Sequence, residues 1–390
     1  MSSTVNKIRL QRHKRILLGT LGTVLAVALS FCGWVYRAKT QRDLNTKLLG
    51  AVRKENADAA RLLLAHGADP NIRDVTQQPV SLWKQIRHAF HKDELSSDSQ
   101  ADNDKPTVLD MVFQSKSVRF GDIEEVPNEN VPLAKALLDA GARSDDSFQR
   151  HITPLMKAVS FDQLRTVKLL LDHGANPMAH DDQGRRPMHY IGAIGLDGAD
   201  RLEIVQLLVK RGAVIDATDN DGSTPLMDIA AGCKDVRVVQ FLVAHGANVN
   251  LRSKDGNSAL LMSTSFGRTE TTRFLLEHGA QVNVHDQNEN TPLANAAVMN
   301  SILDIKMLLA LGAKVDAINR NGDTPLIYCV SFCNSLGADM STSLEIMRLL
   351  IDHGADISHR NKEGDSALSL AKKVNWGEAI ELLEAAGARQ

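Results

Sequence analysis

The sequence predicts an all-α solenoid, in which pairs of short helices stack side by side, preceded by one N-terminal transmembrane helix. Three observations predict it. A leucine-rich helix end followed by Gly-Ala recurs nine times, mostly at intervals of about 33 residues, which gives about nine repeats. A Thr-Pro-Leu tripeptide or a variant of it precedes several of these phrases, and one long uncharged apolar run lies near the N-terminus. A unit this short cannot bury its own apolar face, so neighbouring units must stack.

The apolar run near the N-terminus predicts a membrane anchor. It follows a basic tail, residues 1–15, and covers residues 16–36 without a charged side chain. A helix of that length crosses the roughly 30 Å hydrocarbon layer of a bilayer. A cleavable signal peptide is the alternative, because Ala26-Val27-Ala28 is a small-x-small site after a basic leader. The apolar run continues past this site to Trp34, which favours an uncleaved signal anchor.

The charges around the span indicate its orientation only weakly. Five basic residues precede it and four follow closely, so the positive-inside bias is slight. It places the short tail in the cytoplasm and the repeats on the far side. For a bacterial inner membrane that side is the periplasm, and secretion after signal cleavage is the alternative.

The overall composition gives no partner. The formal net charge of -2 produces no whole-chain field that would attract nucleic acid or anionic lipid. The four cysteines are too few and too unevenly spread for a disulfide framework or a zinc site. The sequence therefore predicts no nucleic-acid partner.

Each repeat is predicted to contain two helices. Thr at the N-cap accepts a hydrogen bond from a helical N–H, and Pro fits the first helical position, so Thr224-Pro225-Leu226 starts a first helix. The apolar spacing of residues 236–244 predicts a second helix. Gly246 ends it, because the residue after the last turn adopts the left-handed conformation that suits Gly.

A polar turn separates one repeat from the next. Asn220-Asp221-Gly222 and Arg320-Asn321-Gly322 are examples, and each places Gly where a tight reversal needs a positive φ. We call these turns fingers. In the turn before Thr291 the finger Gly is replaced by Glu289, which predicts a distorted finger at that position.

The order of helix, turn, helix, Gly and finger resembles the ankyrin repeat, whose unit has the same length and a Thr-Pro-Leu-His opening. The resemblance covers residues 44–390, after a short linker at 37–43. The membrane anchor and the lack of an appended catalytic domain suggest a bacterial member. Only His189 keeps the family histidine after the tripeptide, so the polar tether that this residue provides between repeats is expected to be weak elsewhere.

Insertions interrupt the repeat period. The first two Gly-Ala phrases are 74 residues apart, and a second repeat lies within this interval. It is recognised from residues 106–111 and from Leu137-Leu138. Two loop insertions expand it, at about 83–105, which is polar and acidic, and at about 114–131. Smaller additions occur near residues 192–200 and 331–343. Such loops are either decoration or binding elements.

No motif indicates catalysis, a cofactor or a metal. Five Gly-Ala phrases carry a preceding His, but each lies in a different repeat, and stacked helices are about 8–10 Å apart. These histidines are interpreted as helix C-terminal residues: His66, His173, His245, His278 and His353. No phosphate-binding loop, nucleophile elbow or Cys-x-x-Cys is present, so the chain is predicted not to be an enzyme or to have a small-molecule substrate.

The resemblance implies a protein partner, bound on the concave face of first helices and fingers through positions beside the framework. On the first helices the site two after each Leu falls on Lys157, Tyr190, Asp228, Met262, Asn295, Tyr328 and Leu370. Next to the finger glycines lie Gln183, Arg185, Asp221, Asp255, Asn321 and Asp323. Tyr190 and Tyr328 are the favoured anchors, because aromatic side chains dominate interfaces. The alternative is that either ring packs under a neighbouring insertion.

The resulting hypothesis is a membrane-tethered module that binds a protein, as an accessory or immunity factor in the cell envelope. A cytoplasm-facing or host-directed adaptor of the same family is one alternative. An enzyme whose chemistry lies in the loop insertions is another. The identity of the partner is not encoded in any motif.

Overall fold

The computed structural model describes residues 36–74, 106–112, 129–147, 150–191, 199–332 and 340–388. This part of the chain is helical and contains no strand longer than an isolated bridge, such as the antiparallel one between Arg73 and Thr107. Backbone contacts divide the chain into two compact units. The first comprises residues 1–114 and 130–143, and the second comprises 115–129 and 144–390.

No helix within the described ranges is both long and apolar enough to span a bilayer. The predicted transmembrane segment lies outside those ranges except for Tyr36, its last residue, which is exposed. The predicted anchor therefore stays a prediction.

The described part of the first unit contains four helices. They are α1 over residues 36–53, α2 (Ala57–Ala65), α3 (Val108–Val112) and α4 (Val131–Asp139). Helices α2 and α4 pack together, as do α3 and α4. The side chain of Asn71 accepts from the backbone N–H of Arg143 (2.8 Å) and donates to the carbonyl of Gly141 (3.2 Å). The hidden second repeat therefore has a helix at each of its two predicted positions.

The second unit stacks first and second helices alternately. In chain order they are α5 (Pro154–Ser160), α6 (Leu164–Asp172), a short 3-10 helix (Pro187–Tyr190), α7 (Arg201–Lys210), α8 (Pro225–Gly232), α9 (Val236–Ala244), α10 (Ala259–Ser265), α11 (Thr269–Glu277), α12 (Pro292–Val298), α13 (Ile302–Ala310), α14 (Pro325–Ser331), α15 (Met340–Asp352), α16 (Ala367–Lys373) and α17 (Gly377–Ala385). Each first helix contacts the next first helix, and each second helix contacts the next second helix.

The Thr-Pro-Leu tripeptides begin first helices as predicted, but the predicted side-chain cap is absent at Thr224, the cap of α8. In α12 and α14 the hydroxyls of Thr291 and Thr324 each accept a hydrogen bond, at 3.3 Å, from the backbone N–H three residues on. The Arg186-Pro187-Met188 variant gives a 3-10 helix instead of the predicted α-helix. Arg186 has no hydroxyl, and the cap is reversed: His189 Nδ1 accepts from the backbone N–H of Arg186 (3.0 Å).

Glycine ends the second helices, as predicted. Gly246 has φ of 97°, and its N–H donates to the carbonyl of Val243 (3.0 Å). The N–H of Ala247 reaches back to the carbonyl of Leu242 at 3.0 Å. These bonds satisfy carbonyls that the end of a helix leaves unpaired. They also turn the chain sharply towards the finger.

The core lies between the helices of successive repeats. It is built from leucine, alanine and valine, which fits the low aromatic content; Leu260, Leu275 and Leu308 are essentially inaccessible. A charged pair is buried with them: Arg201 Nε donates to Asp162 Oδ2 at 3.0 Å. This pair joins α7 to the turn that precedes α6. The predicted insertions lie mainly at residues outside the described ranges.

Candidate binding surface

The first helices of the second unit present one common face. Positions four and eight residues after the capping residue lie on the same side of a helix. We call the set of these positions in α5, α8, α10, α12, α14 and α16, together with Tyr190 of the 3-10 helix, the inner face. The predicted residues Lys157, Asp228, Met262, Asn295, Tyr328 and Leu370 occupy the position four after the cap and are half-buried. Tyr190 occupies the same position and is buried.

The fingers form a fixed edge beside the inner face. One backbone N–H of each finger donates to a carbonyl of the preceding finger over 2.6–3.0 Å. The acceptors include the carbonyls of Gln183, Asp221, Asp255 and Asn321. The side chains of these four predicted residues are exposed. Their main chains are therefore held in place while their side chains project into solvent.

A polar residue at the start of each finger holds the turn. Asp219 Oδ1 accepts from the N–H groups of Asp221 (2.9 Å) and Ser223 (2.8 Å), and Asn319 does the same for Asn321 and Asp323 (both 2.9 Å). Asp323 in turn accepts from the Asn361 side chain at 2.8 Å. These capping positions went unnoticed in the sequence, although an Asp, Asn or Ser three residues before the finger Gly is a readable signal.

The finger with Glu289 is not distorted, so the predicted distortion is wrong. Glu289 adopts φ of 65°, and its N–H donates to the carbonyl of Asp286 at 3.0 Å, as Gly256 N–H does to Ser253 at 2.9 Å. The N–H groups of Asn288 and Asn290 both donate to the Asp286 carboxylate at 2.8 Å. The surrounding hydrogen bonds hold a non-glycine residue in the left-handed region, at a steric cost.

Tyr190 is engaged inside its own repeat. Its hydroxyl donates to Asp181 Oδ2 (2.7 Å) and accepts from an Arg185 nitrogen (3.1 Å), while the Arg185 guanidinium lies 4.9 Å from the ring centre. Burial and the hydrogen bond to Asp181 raise the pKa of Tyr190 far above its ordinary value. Burial alone would raise the pKa of Asp181, but the hydrogen bonds from Tyr190 and Arg185 outweigh it and lower that pKa. With 8% of its surface exposed, Tyr190 offers a partner little contact area.

Tyr328 is more accessible. It is half-buried, its hydroxyl donates to Asn290 Oδ1 at 2.8 Å, and it accepts from the side chain of Asn319. Burial raises its pKa. Its ring centre lies 5.6 Å from that of Phe332, which is 37% exposed. Of the two favoured aromatic anchors, Tyr328 is the one whose ring borders solvent.

Asp228 is the least satisfied group on the inner face. Among the described residues its half-buried carboxylate accepts no hydrogen bond. Burial and the charge of Asp219 raise its pKa to about 7, against the opposing effect of Arg185. Solvent compensates a half-buried carboxylate only in part when no donor of the protein binds it. This carboxylate would therefore gain from a cationic or hydrogen-bonding ligand.

The inner face includes apolar residues that were missed in the sequence. They occupy the position eight after the cap, at the end of a first helix: Phe161, Phe266, Met299, Phe332 and Val374. Three of them are exposed large side chains. A fixed distance from the capping residue is the signal that could have identified them.

The five predicted C-terminal histidines lie where expected. Each is the C-cap of a helix, and its Nδ1–H donates to the carbonyl four residues earlier over 2.6–2.9 Å. This bond satisfies a carbonyl at the helix end. In the described ranges no three His, Cys, Asp or Glu side chains are placed to hold a metal ion. His189 differs: it is buried, and its Nε2–H donates to the Ser223 carbonyl of the next finger at 3.3 Å.

Comparison with protein families agrees with this geometry. A model of three consecutive ankyrin repeats matches residues 124–219, 191–286 and 282–361, and a single-repeat model matches residues 48–75. The matches together cover more than half of the chain.

Three curated proteins illustrate the similarity. Human neurogenic locus notch homolog protein 4 is 40% identical over 97 residues, which are 23% of this chain and 4% of that protein. The ankyrin repeat, SAM and basic leucine zipper domain-containing protein 1 of Microcebus murinus is 33% identical over 142 residues, 34% of this chain and 29% of its own. Mouse ankyrin repeat domain-containing protein 63 is 36% identical over 115 residues, 28% of each chain. The chain spans less than a third of the length of each relative.

Proposed function

Because the chain belongs to the ankyrin repeat family, we propose that it is a non-catalytic module that binds a partner protein across the inner face and the finger tips. One observation carries this proposal. The backbone hydrogen bonds between fingers fix the main chain of Gln183, Asp221, Asp255 and Asn321 while their side chains are exposed. A surface that is ordered before binding loses less conformational entropy when a partner docks.

Site-specific photo-crosslinking in the full-length chain tests this surface. A benzophenone side chain at Asn295 or Asn321, on the inner face and a finger tip, should give a crosslinked partner in living cells. The same group at Glu277 or Leu311, at the ends of second helices, should give none and serves as the matched control. Equal crosslinking from all four positions would contradict the assignment of the binding face.

We further propose that the repeats are tethered to a membrane by residues 16–36. The support is the sequence itself: a 21-residue uncharged run between basic flanks. The slight charge bias favours repeats that face the periplasm of a bacterial inner membrane. In that location the module would hold or neutralise a protein of the cell envelope, as an accessory or an immunity factor. A cytoplasm-facing or host-directed adaptor is the alternative.

Two reporters separate these locations. An enzyme that is active only outside the cytoplasm, fused after Gln390, should be active, and a fluorescent protein that matures only in the cytoplasm should be dark at the same site. The opposite pattern would support the cytoplasm-facing adaptor. Recovery of both fusions in the soluble fraction would contradict the tether.

A further inference from the structure

Four consecutive first helices, α10, α12, α14 and α16, carry a nearly continuous apolar surface. Each contributes two positions to the inner face, and seven of these eight positions are apolar or aromatic: Met262, Phe266, Met299, Tyr328, Phe332, Leu370 and Val374. The eighth is Asn295. Phe266 is 52% exposed and Val374 is 43% exposed, so the surface is open to solvent.

The helices that carry this apolar row are neighbours. Each of the four helices packs against the next. The terminal methyl of Met299 lies 3.4 Å from the place that a Cβ on Gly267 would occupy, beside Phe266 of the preceding repeat. Contiguous exposed apolar surface of this kind marks an interaction site more often than scattered single residues do.

The row ends at an acidic position. The preceding first helix, α8, places Asp228 four residues after its cap, and Gly232 eight after. Asp219 and Asp221 lie on the finger of the same repeat, and Asp255 lies on the next one. Arg185 faces this group but already binds Asp181, and the Lys254 ammonium donates to the carbonyl of Asn220 at 2.6 Å. Within the inner face, an acidic patch at α8 therefore borders the apolar stretch over α10, α12, α14 and α16.

We propose that this part of the inner face binds an amphipathic helix of the partner, with its apolar side along the α10–α16 row and a lysine or arginine at Asp228. This inference rests on the proposed function and specifies the chemistry of its partner. Charge complementarity supports the basic residue, because Asp228 has no hydrogen-bond donor of its own among the described residues. The cation would supply the missing donor.

The spacing of the row supports a helix. Packed helices lie about 8–10 Å apart. A bound α-helix returns a side chain to the same face every seven residues, about 10.5 Å along its axis. One apolar side chain per heptad can therefore contact each successive first helix.

Selection from a displayed peptide library tests the proposal. The target is the full-length chain in lipid nanodiscs, and the probe is a library of random 32-residue peptides, long enough for five positions at heptad spacing and depleted first on empty nanodiscs. We expect enriched peptides with apolar residues at three-, four- and seven-residue spacing and a lysine or arginine about one heptad beyond one end. Enrichment of acidic or non-periodic peptides, or no enrichment over empty nanodiscs, would overturn the proposal.

Two changes sharpen the test: a charge reversal at Asp228 and the replacement of two aromatic side chains of the apolar row by serine. Asp228→Lys should lower the affinity of an enriched peptide at least tenfold and reverse the selected charge from basic to acidic. The double change Phe266→Ser and Phe332→Ser should also lower the affinity at least tenfold. The matched controls Glu277→Lys and Leu303→Ser lie on second helices and should stay within twofold of wild type. An unchanged charge preference in Asp228→Lys would be decisive against the proposal.

The two levels of inference can fail separately. If inner-face crosslinks to the natural partner persist while the library result is negative, the surface binds a protein but not a basic amphipathic helix. If crosslinks are equal from the inner face and the second helices, the proposed binding face itself is wrong. Thermal melting of each variant checks that the repeats remain folded.

Discussion

The carboxylate of Asp228 should make stability depend on pH. Its pKa is raised to about 7 by burial and by Asp219, against Arg185, so the folded state binds a proton that the unfolded state has lost. The contribution of the Asp228 carboxyl to the free energy of unfolding is therefore fully present below the unfolded pKa of about 4. It is lost as the pH rises through about 7. Asp228→Asn removes this dependence. The melting temperature of the variant relative to wild type should therefore rise between pH 4 and pH 8.

The control for this measurement is Asp221→Asn, which changes an exposed carboxylate on the same repeat. Other acids also affect the melting temperature over this range, so only the difference between variant and wild type is informative. A difference for Asp228→Asn that stays constant from pH 4 to pH 8 would show that Asp228 ionises normally in the folded protein.

The buried pair of Arg201 and Asp162 predicts a large mutational effect. Arg201→Ala leaves the Asp162 carboxylate in a site with little solvent, which typically costs about 3–5 kcal/mol. The pair of Arg237 and Asp235, with an N–O contact of 2.7 Å and an exposed Arg237 side chain, is the matched control, and Arg237→Ala should cost much less than Arg201→Ala because solvent screens the exposed pair. Urea denaturation measures both. Equal costs would mean that water reaches Asp162 once Arg201 is gone.

The two tyrosines show what residue-level sequence reasoning can and cannot resolve. Both occupy the same place in the repeat, so the pattern gave them equal weight. What separates them is the neighbouring finger: Asp181 and Arg185 enclose Tyr190, whereas Asn290 and Asn319 bind only the hydroxyl of Tyr328. Side-chain pairing of this kind depends on three-dimensional distances that the repeat period does not contain.

At the scale of the finger, Glu289 and Gly256 make a reciprocal prediction. A non-glycine residue at φ of 65° is strained, so Glu289→Gly should stabilise the protein by about 0.5–1 kcal/mol. Gly256→Ala should destabilise by about 1–2 kcal/mol, because φ is 77° and a Cβ would lie 3.0 Å from the carbonyl oxygen of His285. Denaturant unfolding measures both. A destabilised Glu289→Gly would indicate that the Glu289 side chain makes a contact worth more than the strain.

Helices and their ends were largely predictable because local chemistry determines them. Thr291 caps α12 through its own hydroxyl, and Gly246 closes α9 through its own φ. The tripeptide Arg186-Pro187-Met188 was wrongly predicted to start an α-helix. Its cap depends on the side chain of His189, and the segment forms a 3-10 helix. Four members of the apolar row were overlooked because they lie about a repeat apart in sequence and become neighbours only when the first helices stack: Phe266, Met299, Phe332 and Val374.

At the scale of the molecule, the second unit is a stack in which each repeat touches its neighbours. Stability in such an array is close to a sum of repeat terms and nearest-neighbour terms. The finger hydrogen bonds and the contacts between successive helices both follow this pattern. The sequence period predicted the stacking, since a 33-residue unit has no other way to bury its apolar face. The period carried no information about the partner. It is set by the framework residues, whereas the inner-face residues lie between them on the same helices.

Nearest-neighbour stacking leads to a prediction about where the second unit opens. Leu383 in α17 and Leu275 in α11 are both fully buried, and replacing either by Ala should cost about 2–5 kcal/mol. Helix α17 packs on α15 and α16, whereas α11 packs between α9 and α13. In Leu383→Ala, hydrogen exchange should therefore quicken in α16 and α17 and stay at the wild-type rate from α5 to α12. In Leu275→Ala, protection should fall on both sides of α11. Uniform loss of protection in Leu383→Ala would instead show that the unit unfolds in one cooperative step, with coupling between repeats stronger than the stability of any single repeat.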